Sequence, residues 1–234
     1  NDFAGAVDTV AVDVEVSLRP PTVVADGAQH YIHQGGSELV AFTPGGNFTE
    51  AGVRAGKYSF RSFPMPGAAS GERFALFGYP WDLPPDTAPV VYVRNVAGVE
   101  TEGKFWYKVF PKEFRHRDME LTDKFLDKVV NEIDPGGQGD LVTRFVRINN
   151  ETRRANNQTL ADLRLKTEQK FLWTGPFLQM SKTKVESHFA DVRSYIYNGK
   201  KVDEQVHLGY DLSSTAHAPV VAANDGKVVF AERL

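Results

Sequence analysis

The stretch VRSYIYNGKKVDEQVHLGYD, residues 192–211, decides how the last third of the chain folds. Asn198 and Gly199 lie between two strand-like segments and form the strongest short signal for a β-hairpin in this sequence. His207 and Asp211 follow, with Gly209 midway between them. On an extended strand, residues 207, 209 and 211 share one face. We therefore predict a hairpin followed by a strand from which an imidazole and a carboxylate project side by side.

An imidazole and a carboxylate on one face can both bind zinc, at bond lengths of about 2.0–2.2 Å. Gly209 leaves room for an ion between them, and one more histidine and a water would complete a hydrolytic centre. The His-x-x-x-Asp spacing alone is common by chance. It leaves open the alternative of a buried hydrogen bond between His207 and Asp211 with no metal.

Three neighbouring motifs make the pattern more specific. Residues 175–177 read Gly-Pro-Phe, residues 187–193 read Ser-His-Phe-Ala-Asp-Val-Arg, and residues 219–231 run from Pro-Val through Asn-Asp-Gly to Val-Val-Phe-Ala. We predict a strand with a Gly-Pro break over residues 171–180. We predict a second hairpin over residues 218–234, with its turn at Asn224-Asp225-Gly226. With the His-x-Gly-x-Asp motif, the order and spacing of the three motifs resemble the start of the M23 (lysostaphin- or LytM-type) zinc metallopeptidase domain. That family has a Ser-x-Phe-Gly-x-Arg turn. Here Ala190 stands for the glycine and one residue is added.

The resemblance implies that His207 and Asp211 are two ligands of a Zn²⁺ ion and that His188 and Arg193 contact substrate. The His-x-His pair that supplies the family's third ligand and a catalytic histidine does not occur in the sequence. We expect it after Leu234 or on a second chain, so that this chain alone is inactive. His217, on the loop before Pro219, is expected to be a solvated residue that does not replace the pair.

The activity implied by the resemblance is a zinc-dependent endopeptidase acting on peptidoglycan peptides in the bacterial cell envelope, either periplasmic or extracellular. A membrane anchor, where there is one, is expected upstream of Asn1. The alternative is a non-catalytic envelope protein whose degenerate peptidase domain binds peptidoglycan or activates a cell-wall amidase. A His-x-His pair in the remainder of the domain would favour the peptidase, and its absence would favour the alternative.

The N-terminal half is rich in short strand-like segments separated by Gly, Pro and Asn, which is typical of a β-sandwich. Residues 1–16 also align with residues 94–109, and both read as the last hairpin of an immunoglobulin-like module. We therefore expect residues 1–18, with an alternating strand over 9–18, to end a preceding module, and residues 19–113 to form an immunoglobulin-like domain. Coincidence between two short hairpins is the alternative.

Residues 114–170 have helical periodicity. The first helix should carry one apolar face. That face comprises Leu121, Phe125, Leu126, Val129, Val130 and Ile133. Gly136 and Gly137 should end this helix, and one or two more helices should follow, with Leu141, Phe145 and Ile148 as an apolar stripe. We treat this segment as a helical linker, with autoinhibition of the peptidase groove as a further hypothesis.

The fold expected from these patterns is mainly β with a helical segment. It consists of an immunoglobulin-like β-sandwich, the helical linker region, and at residues 171–234 the N-terminal half of an antiparallel β peptidase domain.

Cysteine is absent, which excludes disulfides and thiolate zinc sites. The net charge of −3 gives no sign of a nucleic-acid partner. No stretch has the 18 consecutive apolar residues of a membrane span, and residues 1–10 do not resemble a signal peptide.

Overall fold

The computed structural model describes residues 9–13, 19–68 and 71–234. It is mainly β with helices, which confirms the class predicted from sequence. The chain divides into two compact units. The first draws on residues up to Ile32, Ser37–Tyr79 and Leu83–Val109, and the second on His33–Gly36, Pro80–Asp82 and Phe110–Leu234.

Among the described residues before position 111, the chain forms ten strands. They are β1 (Thr22–Ala25), β2 (His30–His33), β3 (Ser37–Gly45), β4 (Glu50–Ala55), β5 (Tyr58–Arg61), β6 (Phe63–Pro64), β7 (Arg73–Gly78), β8 (Pro89–Arg94), β9 (Glu100–Gly103) and β10 (Tyr107–Phe110). Two four-stranded antiparallel sheets result, with the orders β1-β3-β7-β6 and β5-β4-β8-β9, and β2 pairs with β10.

Alternate residues of both sheets fill the core of the first unit, as period-two side-chain orientation requires. From one sheet come Val40 and Phe42 of β3 with Ala75 and Phe77 of β7, and from the other Ala51, Val53 and Ala55 of β4 with Val91 and Val93 of β8. Because a single apolar cluster takes side chains from both sheets, this unit is a β-sandwich.

The expectations for residues 1–18 lie mostly outside the described residues. Residues 9–13, the part of this segment that is described, have no regular secondary structure, and their side chains are exposed. The alternating strand predicted over residues 9–18 is therefore not formed where it is described.

The long segment of the second unit, Phe110–Leu234, forms a strand early on where the sequence predicted helix. Its strands are β11 (His116–Glu120), β12 (Lys184–Ser187), β13 (Val192–Tyr197), β14 (Lys200–Val206) and β15 (Asp211–Ser213). They form one sheet of order β11-β13-β14 and a separate pair, β12-β15. Because β11 runs parallel to β13, the larger sheet is mixed, whereas the sequence predicted antiparallel strands alone. The β13–β14 hairpin turns at Asn198 and Gly199, whose φ angles of 51° and 72° are those of a type I′ turn, as predicted.

Helices α1 (Asp123–Ile133), α2 (Leu141–Arg147) and α3 (Arg153–Asp162) follow β11 in the chain. Thr122 caps α1 by accepting a hydrogen bond from the Phe125 amide, and Asp140 caps α2 by accepting one from the Thr143 amide. A π-helical turn over Ile148–Thr152 joins α2 to α3, and a 3₁₀ turn over Leu163–Lys166 ends the run.

Helices α1 and α2, the π-helical turn and the β13–β14 hairpin share one apolar core. Leu126 and Val130 of α1 pack with Phe145, Ile148 and Tyr195. Phe125 and Ile133, which belong to the predicted apolar face of α1, are instead about half exposed. The boundary expected at residue 170, between a helical linker and a peptidase domain, therefore runs through a single packed core.

The segments predicted to form strands at residues 171–180 and 218–234 are irregular in the structure. Residues 167–183 and 214–234 contain neither helix nor strand. The hairpin predicted around Asn224-Asp225-Gly226 is wrong, because Val220 and Val228 on either side of the turn are more than four-fifths exposed. A two-stranded hairpin without an apolar surface to cover is only marginally stable. Across the residues that the structure describes, no helix has the length and apolar character needed to cross a membrane.

Candidate functional site

His207 is held by two backbone hydrogen bonds at the end of β14. Its amide donates to the Asp191 carbonyl at 2.9 Å, and its carbonyl accepts from the Ala190 amide at 2.7 Å. Ala190 is fully buried and has a φ of 65°, in the left-handed region that glycine adopts most readily. This turn fixes the backbone of His207 against residues 190 and 191.

Asp211 belongs to a different sheet from β14. It is the first residue of β15 and is paired with Ser187 of β12, whereas β14 pairs with β13. The continuous strand predicted over residues 207–211 is therefore wrong, because the chain leaves one sheet after Val206 and joins another at Asp211.

The side chains of His207 and Asp211 nevertheless meet. His207 Nε2 lies 3.3 Å from Asp211 Oδ1, and the His207 side chain is 13% exposed. The contact lacks hydrogen-bond geometry, so the buried Nε2 has no hydrogen-bond partner in the described structure. Two ligand atoms of a tetrahedral zinc ion with bonds of about 2.0 Å are about 3.3 Å apart. The nitrogen and oxygen are therefore spaced as two ligands of one such ion would be.

Arg193 orients the carboxylate of this pair. Its Nη2 donates to Asp211 Oδ2 at 2.9 Å, which leaves Oδ1 facing His207. Burial and then the charge of Arg193 lower the pKa of His207, so the imidazole is neutral at pH 7, the form that binds metals. Partial burial opposes ionisation of Asp211, but hydrogen bonds from Arg193 and Ser187 outweigh it and lower the pKa of Asp211.

A second carboxylate organises the turn that holds His207. The Asp191 side chain is buried and accepts hydrogen bonds from Arg115 Nε at 2.9 Å, Arg115 Nη2 at 2.5 Å and the His188 amide at 3.0 Å. These bonds, with that from Arg115 the largest effect, lower the pKa of Asp191 to about 2. Asp191 is thus an anion at neutral pH and fixes the turn through Arg115.

His188 lies in the same turn. Its Nδ1 is 2.6 Å from Arg115 Nη2, and its ring meets the ring of Tyr210 edge-on at 5.8 Å. The four residues singled out from sequence, His188, Arg193, His207 and Asp211, are therefore linked in one cluster of the second unit. His217 has a φ of 61° and is exposed on its loop.

Sequence reasoning missed the contributions of Arg115 and Asp191. Asp191 lies in the Ser-x-Phe turn, which has one residue more than the family pattern, and that added residue was a usable signal. Arg115 comes from far along the chain, next to β11, and its place follows from the parallel pairing of β11 with β13.

Within residues 9–13, 19–68 and 71–234 there is no cluster of three or more His, Cys, Asp or Glu side chains that could hold a metal ion. His207 and Asp211 are thus a pair of donors, to which a third would have to be added. In comparison with known proteins, no family model and no curated protein matched this chain.

Proposed function

We propose that His207 and Asp211 are two ligands of the zinc site of a peptidase that cleaves peptidoglycan peptides. The observation that carries the proposal is the buried His207 Nε2, which has no hydrogen-bond partner among the described residues and lies 3.3 Å from Asp211 Oδ1. A buried nitrogen left unpaired is costly, and a metal ion shared with the carboxylate would remove that cost. The left-handed Ala190 also supports the resemblance to M23 peptidases, whose turn has glycine at this position.

The residues around the pair would each contribute to binding and orientation. Arg193 holds Asp211 so that Oδ1 faces the imidazole, and the Asp191 carbonyl holds the His207 backbone. His188, beside Tyr210, would line the substrate side. When bound, zinc supplies a water of pKa about 7 and polarises a scissile carbonyl. Turnover requires a further protein ligand, which we propose comes from a second chain or an additional segment.

The rest of the proposal concerns architecture and location. The first unit is proposed to be an immunoglobulin-like module. Its sheet orders β1-β3-β7-β6 and β5-β4-β8-β9 support this, because they correspond to an A-B-E-D sheet facing a C-F-G sheet with one added strand. Residues 171–234 would be the first part of the peptidase domain. The bacterial cell envelope is the proposed location, because the proposed substrate is there.

Binding to purified peptidoglycan tests this proposal. We expect the chain to sediment with peptidoglycan in a zinc-dependent way, with little release of peptides because a ligand is lacking. His207→Ala should abolish the zinc dependence, and His217→Ala should leave it intact. Failure of the wild-type chain to bind at all, or equal zinc-dependent binding by His207→Ala, would sink the proposal.

A second function is favoured by the ion pair between Arg193 and Asp211. This bond at 2.9 Å already neutralises the carboxylate, as in a degenerate site that carries no metal. The chain would then be a non-catalytic envelope protein that binds peptidoglycan or activates a cell-wall amidase. Peptidoglycan binding that is unaffected by zinc, by a chelator and by His207→Ala would favour this function over the peptidase.

A further inference from the structure

The π-helical turn between α2 and α3 and the first residue of α3 each have a buried donor that lacks an acceptor in the described structure. Asn149, in this turn, is 4% exposed, and its Oδ1 accepts a hydrogen bond from Arg153 Nη2 at 3.0 Å. Asn149 Nδ2 and Arg153 Nε are both buried and have no hydrogen-bond partner in the described part of the chain. Buried donors are normally satisfied, and π-helical turns occur often at functional sites.

These two residues line a cleft of about 640 Å³, which we call the π-turn cleft. Its volume lies in the range of small-molecule sites, about 300–1,000 Å³. Asn156 and Asn157, one turn further along α3, also line the cleft, and so does Arg233. The polar part of the lining therefore includes two guanidinium groups and three amides, with the hydroxyl of Thr152.

Aliphatic side chains form the apolar part of the lining. Ile133 at the end of α1, Ile148 in the π-helical turn and Leu234 contribute to its lining, and Glu132 is its one carboxylate side chain. A ligand that matches this mixed lining carries oxygen acceptors with negative charge and also an apolar group. Guanidinium groups bind carboxylates through paired hydrogen bonds, and the Asn149 amide can donate to a neighbouring carbonyl.

We propose that the π-turn cleft binds the carboxylate end of a short peptide with an apolar last residue. The carboxylate pairs with the guanidinium group of Arg153, and the Asn149 amide, which is hydrogen-bonded to that guanidinium, borders the bound peptide. This inference stands apart from the zinc site, because no residue of the cleft is a proposed zinc ligand. Experiments can therefore confirm or refute this inference and the proposed function independently of each other.

The probe is acetyl-alanyl-leucine, and its C-terminal amide is the matched uncharged control. In ¹⁵N NMR titrations of the whole chain, we expect the acid to shift the Asn149 side-chain amide and the Arg153 Nε–H resonances. The amide should bind at least about tenfold more weakly, because it lacks the charge that pairs with the guanidinium. Inorganic phosphate should produce neither shift, because it has no apolar group.

Variants test whether binding depends on the residues of the cleft or only on the positive charge of helix α3. Arg153→Gln should weaken binding of the acid at least about tenfold, whereas Arg154→Gln, the exposed neighbour on α3, should not. Asn149→Asp should weaken it because a carboxylate replaces the donor, and Asn131→Asp on α1 is its control. Should Asn149→Asp not fold, the arginine pair decides. The proposal would be overturned if the acid and the amide bound equally, or if phosphate bound as tightly as the acid. It would also be overturned if neither residue's resonance shifted, or if Arg153→Gln and Arg154→Gln lost binding equally.

Discussion

Ala190 shows how a single residue position sets the backbone around His207. It is fully buried at a φ of 65°, and its amide bonds to the His207 carbonyl. The left-handed conformation costs a residue with a Cβ roughly 1–2 kcal/mol, whereas glycine adopts it freely. The sequence already pointed to this position, because the resemblance places glycine there.

Substitutions at Ala190 should therefore have unequal effects. Ala190→Gly relieves the backbone strain but loses a buried methyl worth about 0.8 kcal/mol, so we expect a net change within about 1 kcal/mol. Ala190→Val adds a branched side chain at positive φ in a packed site and should cost about 2 kcal/mol or more. Urea unfolding of both variants measures this. Equal stability of the glycine and valine variants would contradict the left-handed turn.

Asp191 makes the free energy of unfolding of the second unit depend on pH. Its folded pKa of about 2, set first by Arg115, lies below the unfolded value of about 3.9. The stabilisation is thus fully present above the unfolded pKa and is lost as pH falls through about 4 toward 2. Between pH 6 and pH 3, the wild type should lose more unfolding free energy than Asp191→Asn, with the exposed Asp225→Asn behaving as wild type. The same loss in Asp191→Asn as in wild type would contradict this.

At the residue scale, the sequence predicted that the side chains of His207 and Asp211 lie close together, but for the wrong reason. A shared strand face was expected, whereas the two residues come from the ends of different sheets and still lie 3.3 Å apart. Arg115 could not be predicted, because its contact with Asp191 spans 76 residues of chain and depends on how the strands pair.

Helix α1 was predictable because its signals are local. Thr122 is a typical N-cap residue, and Leu126 and Val130 are spaced to lie on one helix face. Whether Phe125 and Ile133 of that face are buried depends on how wide the contact with neighbouring elements is, and both are exposed. Periodicity does not define that width.

Truncation of the buried face of α1 should destabilise the second unit. Leu126 is fully buried in the core with Phe145 and Tyr195. We expect Leu126→Ala to lower the free energy of unfolding by about 2–5 kcal/mol. Lys124→Ala, at an exposed position of the same helix, should change it by less than about 0.5 kcal/mol. Chemical denaturation followed by circular dichroism compares them, and a small effect of Leu126→Ala would argue against the shared core.

The two predicted hairpins differ in what surrounds them. The turn at Asn198-Gly199 joins strands that also have β11 beside them and helices packed on Tyr195. The turn at Asn224-Asp225-Gly226 is flanked by exposed valines, and Asn224 instead donates hydrogen bonds to the Gly175 and Pro176 carbonyls. Turn chemistry identifies a possible hairpin, but tertiary packing decides whether it forms.

For the whole molecule, the sequence predicted the secondary-structure class of each segment better than the boundaries between the segments. The sandwich of the first unit follows from local alternation and turns. In the second unit, β11 was expected to be part of a helical linker, yet it pairs in parallel with β13, and α1 and α2 pack on the same core. Such non-local pairing leaves no periodic signal at residue 170.

Zinc affinity of the whole chain tests the central claim most directly. Isothermal titration with Zn²⁺ should show one weakly bound ion, weakened at least about tenfold by His207→Ala and by Asp211→Asn, because each removes one of two protein donors. His217→Ala, which removes an exposed histidine nearby in sequence, should bind zinc like the wild type. No zinc binding by the wild-type chain, or undiminished binding by His207→Ala, would contradict the account.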